Sequence, residues 1–356
     1  MKLNIETKHV CIMVYDLKTP FTDRLTTPST LFTDIAFQKS PILFKDSALV
    51  FGRNSKQRGV AVILVMLIVA MATTLAVYIS QQQSLWQRQV ETQFEHAQAR
   101  RLGITGIDWA RAVLADDAAS SSIDYETEMW TLRLPSMPVE NGEVIGVIED
   151  RQGLFNLNSV ARNGVSSPPD IVKFQRLLTT LNLPVSLAFA LADWIDSDSE
   201  VQAAGGAEDG YYLSLSHPYL AANRPLLELG ELSQIKGFDS QTIARLQPFV
   251  SVLPIVGAIN VNFAPAEVLS SIAENMSLSD ARMMVQQRHG NPFKDIADFR
   301  SRLPNNAITI SDTDISVSSY FFWVTGRASV NNSQVVTQAL LQRSQGWPAV
   351  IWQSVQ

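Results

Sequence analysis

The densest group of chemically active side chains in this 356-residue sequence is an acidic segment near its middle. Six carboxylates fall between positions 193 and 209, and no Lys or Arg lies between Arg176 and Arg224 to neutralise them. Because clustered carboxylates repel one another, a folded segment of this kind needs either a bound cation or free access to water. The six residues are Asp193, Asp196, Asp198, Glu200, Glu208 and Asp209.

Calcium fits this segment by its ligand chemistry, since it takes about six to eight hard oxygen ligands. Asp196 and Asp198 alternate along the chain and can turn toward one ion, and the glycines before Glu208 and Asp209 allow both to fold back onto it. The spacing fails the EF-hand pattern, because the required Gly and the final Glu are missing. The same residues therefore also fit a solvated acidic loop in which Asp193 or Asp196 caps a helix.

The remaining titratable residues give little support for catalysis. The four histidines are scattered without the spacing of a metal site, and no nucleophile elbow or phosphate-binding loop occurs. Asp193, Asp196, Glu208 and Asp209 could act as paired carboxylates in glycoside hydrolysis, but so dense a cluster without basic or aromatic partners fits a metal better. We therefore expect a protein that is not an enzyme.

Residues 226–253 resemble a helix-hairpin-helix, a motif that often binds DNA phosphates. Between positions 226 and 304 the chain carries seven basic and eight acidic residues, and its net charge is −6. Near-neutral charge does not supply the counterion release that drives DNA binding, and Asp239 would repel a phosphate from the hairpin. We expect no nucleic-acid partner and assign the hairpin a packing or protein-binding role.

An uncharged apolar run over residues 60–79 decides in which compartment the acidic segment lies. A run of about 20 apolar residues crosses the hydrocarbon core of a bilayer as a helix, and it is too long for a secretory signal. Arg53, Lys56 and Arg58 precede the run, whereas the eight residues after it carry no charge. The positive-inside rule therefore exports everything after the run. The single cysteine, Cys11, precedes the run, so an exported chain needs a staple other than a disulfide.

Helical spacing continues beyond the apolar run. This predicts one helix to about Ala115 whose second half packs against a soluble domain, although a separate coiled-coil linker fits the same pattern. Gly103 and Gly106 weaken such a helix by about 1 kcal/mol each. The apolar residues at helical spacing are Trp86, Val90, Phe94 and Ala97.

Strand-like segments flank a helical block. The block covers residues 165–305 and opens at Ser166-Ser167-Pro168-Pro169-Asp170, a good helix start signal. Turns are predicted at Asn141-Gly142 and Asn331-Asn332. This arrangement predicts an α+β fold in which an α-domain is inserted into a β-sheet. The predicted strands lie at residues 130–134, 144–148, 314–330, 334–343 and 349–355.

Three sequence features resemble one family. Basic residues, Gly59 and an uncharged apolar helix resemble the signal that prepilin peptidase cleaves, and residues 149–158 carry the pattern xDxxGxFNLN. Residues 193–223 read DWxDxD…GAEDxYY…N. All three are similar to the K subunit of the type II secretion system, a minor pseudopilin, over about residues 60–356. The resemblance implies a pilin-like long N-terminal helix packed on an antiparallel β-sheet, with a large inserted α-helical domain.

The resemblance also implies how the chain is divided. The leader is unusually long, which indicates a misassigned start with internal initiation near Leu49 or Val50, the alternative being a genuine extended leader. The implied segments are a leader (1–59), a transmembrane and amphipathic helix (60–115), the first part of the β-domain (116–164), the inserted α-domain (165–305) and the C-terminal strands (306–356).

For the acidic segment the resemblance implies one or two structural calcium ions. The first side-chain ligands would be Asp196, Asp198, Glu208 and Asp209, followed by Glu200 and Asn223. Cleavage would fall between Gly59 and Val60, and the membrane helix would include Val60, Leu64, Leu67 and Ile79. The implied partners are prepilin peptidase, the bacterial inner membrane, and the I and J minor pseudopilins at the tip of the periplasmic pseudopilus.

Leu64 departs from the major-pilin pattern, in which the fifth mature residue is Glu. The K subunit typically lacks this Glu as well. In a pilus the Glu would pair with the N-terminal ammonium of the subunit above, offsetting a costly buried charge, and a tip subunit has none above it. The alternative function is a single-span membrane-anchored periplasmic protein whose exported domain captures a calcium-dependent ligand.

Overall fold

The computed structural model describes residues 58–133, 136–139, 141–344 and 346–356. The predicted leader therefore lies outside the described residues except for its last two, and so does the predicted internal start near Leu49 or Val50. Residues 71–356 form one compact unit, separate from the residues before them.

One helix, α1, runs from Arg58 to Ser120, somewhat beyond the predicted end near Ala115. Among the described helices it is the one long and apolar enough to cross a membrane. Its C-terminal part buries one face, where small and apolar residues recur three or four positions apart. The positions on this face are Ala99, Gly103, Ile107, Ala110 and Leu114.

The predicted apolar stripe of α1 does not pack against the soluble domain. Trp86 and Phe94 are 68% and 70% exposed, and Val90 and Ala97 are exposed as well. The prediction that the second half of the helix packs against a soluble domain is confirmed from about Ala99 onward, whereas these four residues lie before the buried face. The helical period was read correctly, but the sheet covers a different and later stretch of the helix.

Five strands form an antiparallel sheet. They are β1 (Met137–Val139), β2 (Gly142–Asp150), β9 (Phe321–Val330), β10 (Ser333–Gln342) and β11 (Ala349–Val355), and they lie side by side in this order. β2 and β9 are neighbours although residues 151–320 lie between them in the chain, so the intervening body is an insertion into the sheet. This confirms the predicted α+β fold.

The inserted body contains α-helices and short strands around one large apolar core. α2 begins at Pro168 within the predicted start signal, because proline fits the first helical turn. Phe155, Leu157 and Val160 belong to the same core as the helices. The helices are α2 (Pro168–Thr180), α3 (Leu187–Ile195), α4 (Asp209–Tyr212), α5 (Ser240–Leu246), α6 (Ala266–Ile272), α7 (Leu278–Arg288) and α8 (Ile296–Ser301).

Six short strands complete the body in three two-stranded pairings. They are β3 (Phe155–Asn156) with β6 (Val250–Ser251), β4 (Ala161–Arg162) with β5 (Val165–Ser166), and β7 (Ile259–Asn260) with β8 (Ile315–Ser316).

The prediction of a strand at residues 130–134 is wrong for residues 130–133. Trp130 and Thr131 belong to a 3-10 helix, Met129–Thr131, and no strand follows it up to residue 133. Trp130 accounts for the difference: its ring lies 5.4 Å from that of Phe263 and 5.2 Å from that of Phe322. Its indole Nε1 donates to Glu128 Oε2 at 2.7 Å. Burial of one large ring, rather than strand pairing, therefore decides this backbone. Leu134 lies outside the described residues.

Both predicted asparagine turns are present. Asn141 and Asn331 have φ values of 61° and 48°, and the Asn331 N–H donates to the Asn141 carbonyl at 2.9 Å. Asparagine tolerates this left-handed backbone better than most residues, which explains why it occupies both turns.

Candidate metal centre

The acidic segment is positioned by the end of α3 and by the loop before α4. α3 is almost entirely buried, so it carries Asp193 into the interior and delivers Asp196 at its C-terminal cap. Glu208 occupies the position before α4. Neither Asp193 nor Asp196 caps the N-terminus of a helix, and Asp193, Asp196 and Glu208 are all buried. The burial of these three carboxylates contradicts the solvated-loop alternative, and neither Asp193 nor Asp196 has the N-capping role that this alternative gave them.

Three of the predicted ligands converge. Asp196, Asp198 and Glu208 each offer one carboxylate oxygen, and these oxygens lie within 4.8 Å of one another. Asp198 is exposed, whereas the other two are buried, so the group forms a pocket that opens on one side. Such convergence suits a hard cation that collects oxygen ligands.

Five buried side-chain oxygens around this group have no hydrogen-bond partner among the described residues. A buried polar oxygen without a partner costs about 1–3 kcal/mol, and more when it is charged. A calcium ion would coordinate such oxygens directly, so the presence of several buried oxygens without a partner is the reason why these residues fit the ion. The oxygens are Asp193 Oδ1, Asp196 Oδ1, both carboxylate oxygens of Glu208, and Asn223 Oδ1.

The other oxygens of the aspartates are held by the protein itself. The Ser166 hydroxyl donates to Asp196 Oδ2, and the Gln202 backbone N–H donates to Asp193 Oδ2 at 3.2 Å. A Cβ at Gly206 would lie 2.1 Å from Asp193 Oδ2, so the loop can approach this carboxylate only with glycine there. Asp193 and Asp196 are therefore each fixed through Oδ2, while the described part of the chain offers no hydrogen-bond partner to Oδ1.

Without a bound ion, burial and mutual repulsion disfavour the ionised forms of Asp193, Asp196 and Glu208. Burial, followed by the charges of Asp193 and Asp196, raises the pKa of Glu208 to about 7. Burial raises the pKa of Asp193 to about 6 and raises that of Asp196 as well. A bound dication would reverse these shifts, because an opposite charge at short range stabilises the ionised form.

Three of the six predicted ligands are not members of the converging group: Glu200, Asp209 and Asn223. Glu200 is exposed, and its backbone N–H donates to Asp198 Oδ1 at 2.8 Å. Asp209 Oδ1 accepts a hydrogen bond from the Ala221 N–H at 2.9 Å, so this carboxylate joins α4 to the following loop. Asn223 has a left-handed backbone, and its N–H donates to the Trp194 carbonyl at 3.0 Å, beside the end of α3.

Asp193 was not among the predicted ligands. The spacing of the sequence could have identified it. Asp193 precedes Asp196 by three positions, and residues three apart on a helix lie on the same face. The predicted processing site lies elsewhere: Gly59 and Val60 form the first turn of α1, and Leu64, Leu67 and Ile79 are exposed along that helix.

Comparison with known proteins connects the whole arrangement to one family. Two family models, both described as type II secretion system (T2SS), protein K, match residues 153–255 and 259–318. Type II secretion system protein K of Pseudomonas aeruginosa is 32% identical over 298 residues, which cover 81% of this chain and 89% of that protein. The Pectobacterium carotovorum protein of the same name is 30% identical, over 82% of this chain and 94% of its own length.

A solved structure supports the same assignment. It is the GspK-GspI-GspJ complex from the type 2 secretion system of enterotoxigenic Escherichia coli. One of its chains matches with a TM-score of 0.66 and 25% sequence identity, over 75% of this chain and 99% of that chain. The long helix, the sheet with its inserted body and the sequence identity lead to one conclusion: this chain belongs to the type II secretion system protein K family.

Proposed function

We propose that this chain is a minor pseudopilin of the type II secretion system that occupies the tip of the periplasmic pseudopilus and helps start its assembly. The observation that carries the proposal is α1, whose first part is apolar and exposed and whose last part packs on the β-sheet. A helix of this kind anchors the subunit and connects it to others. The role is assembly for the export of folded proteins across the outer membrane, and no catalytic step is assigned to it.

The proposed partners are the I and J minor pseudopilins. The related Escherichia coli structure is a GspK-GspI-GspJ complex. In this chain Trp86, Val90 and Phe94 form an apolar stripe that its own domain leaves exposed. Apolar area of this kind is stabilised when another apolar surface covers it, and a neighbouring subunit is the natural source of that surface.

The proposed location is the bacterial inner membrane, with a cytoplasmic N-terminus and a periplasmic C-terminal domain. Prepilin peptidase would cleave between Gly59 and Val60, at the start of α1. Leu64 then stands where a shaft subunit needs a carboxylate, which supports a position with no subunit above it. The body inserted between β2 and β9 adds bulk that would hinder further stacking.

Calcium is proposed as a structural ion of the inserted body. Asp196, Asp198 and Glu208 would hold it, and the buried, partnerless oxygens of Asp193 and Asn223 are further ligands. The ion supplies positive charge where the chain from Arg176 to Arg224 has none. It would act as the staple of an exported chain whose single cysteine lies in the leader.

The mature N-terminus distinguishes a pseudopilin from a plain membrane anchor. Mass spectrometry of the chain produced with prepilin peptidase should show a protein that begins at an N-methylated Val60. Co-purification with the I and J subunits should depend on the exposed stripe, so Phe94→Ser should weaken it while Thr92→Ser, on the same helix, leaves it unchanged. An intact leader and no co-purification would support the anchored binding protein instead.

Calcium is tested on the full chain in detergent. Chelation should lower the melting temperature and added calcium should restore it, because the ion binds only the folded state. Asp196→Asn should reduce the calcium-dependent rise in melting temperature, whereas Glu200→Gln should leave it unchanged because Glu200 lies outside the converging group. A melting temperature that ignores both chelator and calcium would refute the structural ion without touching the secretion role.

A further inference from the structure

A second group of carboxylates, which we call the junction cluster, lies where the end of α1 meets the loop after it. Asp117, Asp124 and Glu128 each offer one oxygen, and these oxygens lie within 4.8 Å of one another. Asp124 is 1% exposed and Glu128 is 7% exposed, while Asp117 is partly buried. The junction cluster belongs to no part of the acidic loop and has no role in the proposed secretion function.

Asp124 is held rigidly and leaves one oxygen without a donor. Its backbone N–H donates to the Val317 carbonyl at 2.9 Å, and the Ser319 N–H donates to its Oδ2 at 2.7 Å. Arg343 also binds Oδ2, and the same guanidinium reaches Asp117 Oδ2 at 2.9 Å. Asp124 Oδ1 is buried and finds no hydrogen-bond partner among the described residues.

Glu128 is also held in place through one of its oxygens. Oε2 accepts from the Tyr125 N–H at 3.1 Å and from the Trp130 indole at 2.7 Å. The protein thus uses one oxygen of each carboxylate to fix its position. The three fixed carboxylates lie together in a largely buried site.

The charge of the junction cluster is incomplete. When all three carboxylates are ionised they carry −3, and the Arg343 guanidinium, which contacts Asp117 and Asp124, returns +1, so −2 is left without a counterion. One divalent ion would bring this sum to zero. We propose that the junction cluster binds one hard divalent cation of the calcium type through Asp117, Asp124 and Glu128.

The ion would join three separate parts of the chain. Asp117 lies in the last turns of α1, Asp124 and Glu128 lie in the following loop, and Arg343 follows β10. Asp124 also reaches the inserted body, because the Asn260 amide donates to its carbonyl at 3.2 Å. Binding at the junction cluster would hold α1, the sheet and the inserted body at one point.

The test counts calcium ions on the full chain in detergent at pH 7.5, with the acidic loop disabled by Asp196→Asn and Glu208→Gln. Isothermal titration with calcium chloride should still find one site. Asp124→Asn in this background should weaken binding on the order of ten-fold or more, since affinity follows the number of charged ligands. Asp116→Asn, an exposed neighbour that loses the same charge, should leave the site intact.

Two further measurements keep the result decisive. If circular dichroism shows that Asp124→Asn does not fold, Glu128→Gln replaces it, because the amide still accepts from Trp130. Terbium bound at the site should emit on excitation of Trp130, and Trp130→Phe should remove that emission while calcium still binds. Absence of any site in the loop-disabled chain, or binding that neither Asp124→Asn nor Glu128→Gln weakens, would overturn the proposal and leave protons to neutralise the cluster.

Discussion

Replacing Gly103 by alanine tests how α1 packs on the sheet. A Cβ at this position would lie 2.4 Å from Thr337 Cγ2, closer than real Cβ contacts occur. Thr337 is fully buried in β10, and a β-branched side chain has little freedom to move away. Overpacking of this kind costs about 1–3 kcal/mol, while the change from glycine to alanine in a helix returns up to about 1 kcal/mol. We expect a net destabilisation of up to about 2 kcal/mol.

Gly106 provides the matched control on the same helix. A Cβ there would meet only Val144 Cγ1, at 3.6 Å, which is ordinary van der Waals contact. Gly106→Ala should therefore gain the helix term alone and stabilise the protein by about 0.5–1 kcal/mol. Gly103→Ala should therefore lower the stability of the protein, while Gly106→Ala, three positions later on the same helix, should raise it.

The assay is thermal unfolding of the full chain in detergent, followed by tryptophan fluorescence. A change of 1 kcal/mol moves the melting temperature of a domain this large by about 2–4 °C. Thr337→Ser removes the Cγ2 methyl, so it should rescue Gly103→Ala and leave Gly106→Ala unaffected in a double-mutant cycle. If Gly103→Ala proves as stable as Gly106→Ala, or if the cycle shows no coupling, the packing argument is refuted.

Other perturbations have equally definite outcomes. Calcium affinity should rise about ten-fold from pH 6 to pH 8, measured by titration calorimetry, because the Glu208 carboxyl, with its pKa of about 7, must lose its proton before it binds the ion. Ile107→Ala should cost about 2–5 kcal/mol by thermal melting, whereas Phe94→Ala should change stability by no more than about 0.5 kcal/mol because it is exposed. Leu64→Glu should impair tip assembly and secretion, and unaltered assembly with the protein found along the shaft would contradict the tip assignment.

Local pattern was sufficient to predict much of the fold. The strand predicted at residues 334–343 appears as β10 (Ser333–Gln342), and that predicted at 349–355 coincides with β11. Along β10 the buried positions alternate with more exposed ones over most of its length, which is the signal that period-2 reading detects. The two asparagine turns follow from residue type alone.

Features that depend on distant residues could not be read in this way. The sequence assigns Gly103 and Gly106 the same helix cost, and only the approach of Thr337, more than two hundred positions later, separates them. The face of α1 that becomes buried is likewise chosen by the sheet and not by the most apolar stripe of the helix. Arg343 completes the junction cluster from a similar distance along the chain.

The two proposed cation sites would answer one stability problem of this chain. Its single cysteine is Cys11, so the part after the predicted leader, which is proposed to be exported, cannot form an internal disulfide to restrict its unfolded state. A cation bound by buried carboxylates stabilises the folded state in a different way, because its contribution depends on the free ion concentration. The contribution reaches about 2.7 kcal/mol when the free ion concentration is one hundred times the dissociation constant. The carboxylates repel one another until the ion arrives, so the same residues oppose folding without it and favour folding with it. A subunit built this way would be most stable where divalent ions are plentiful, so the proposed periplasmic location would make its stability depend on the free calcium concentration there.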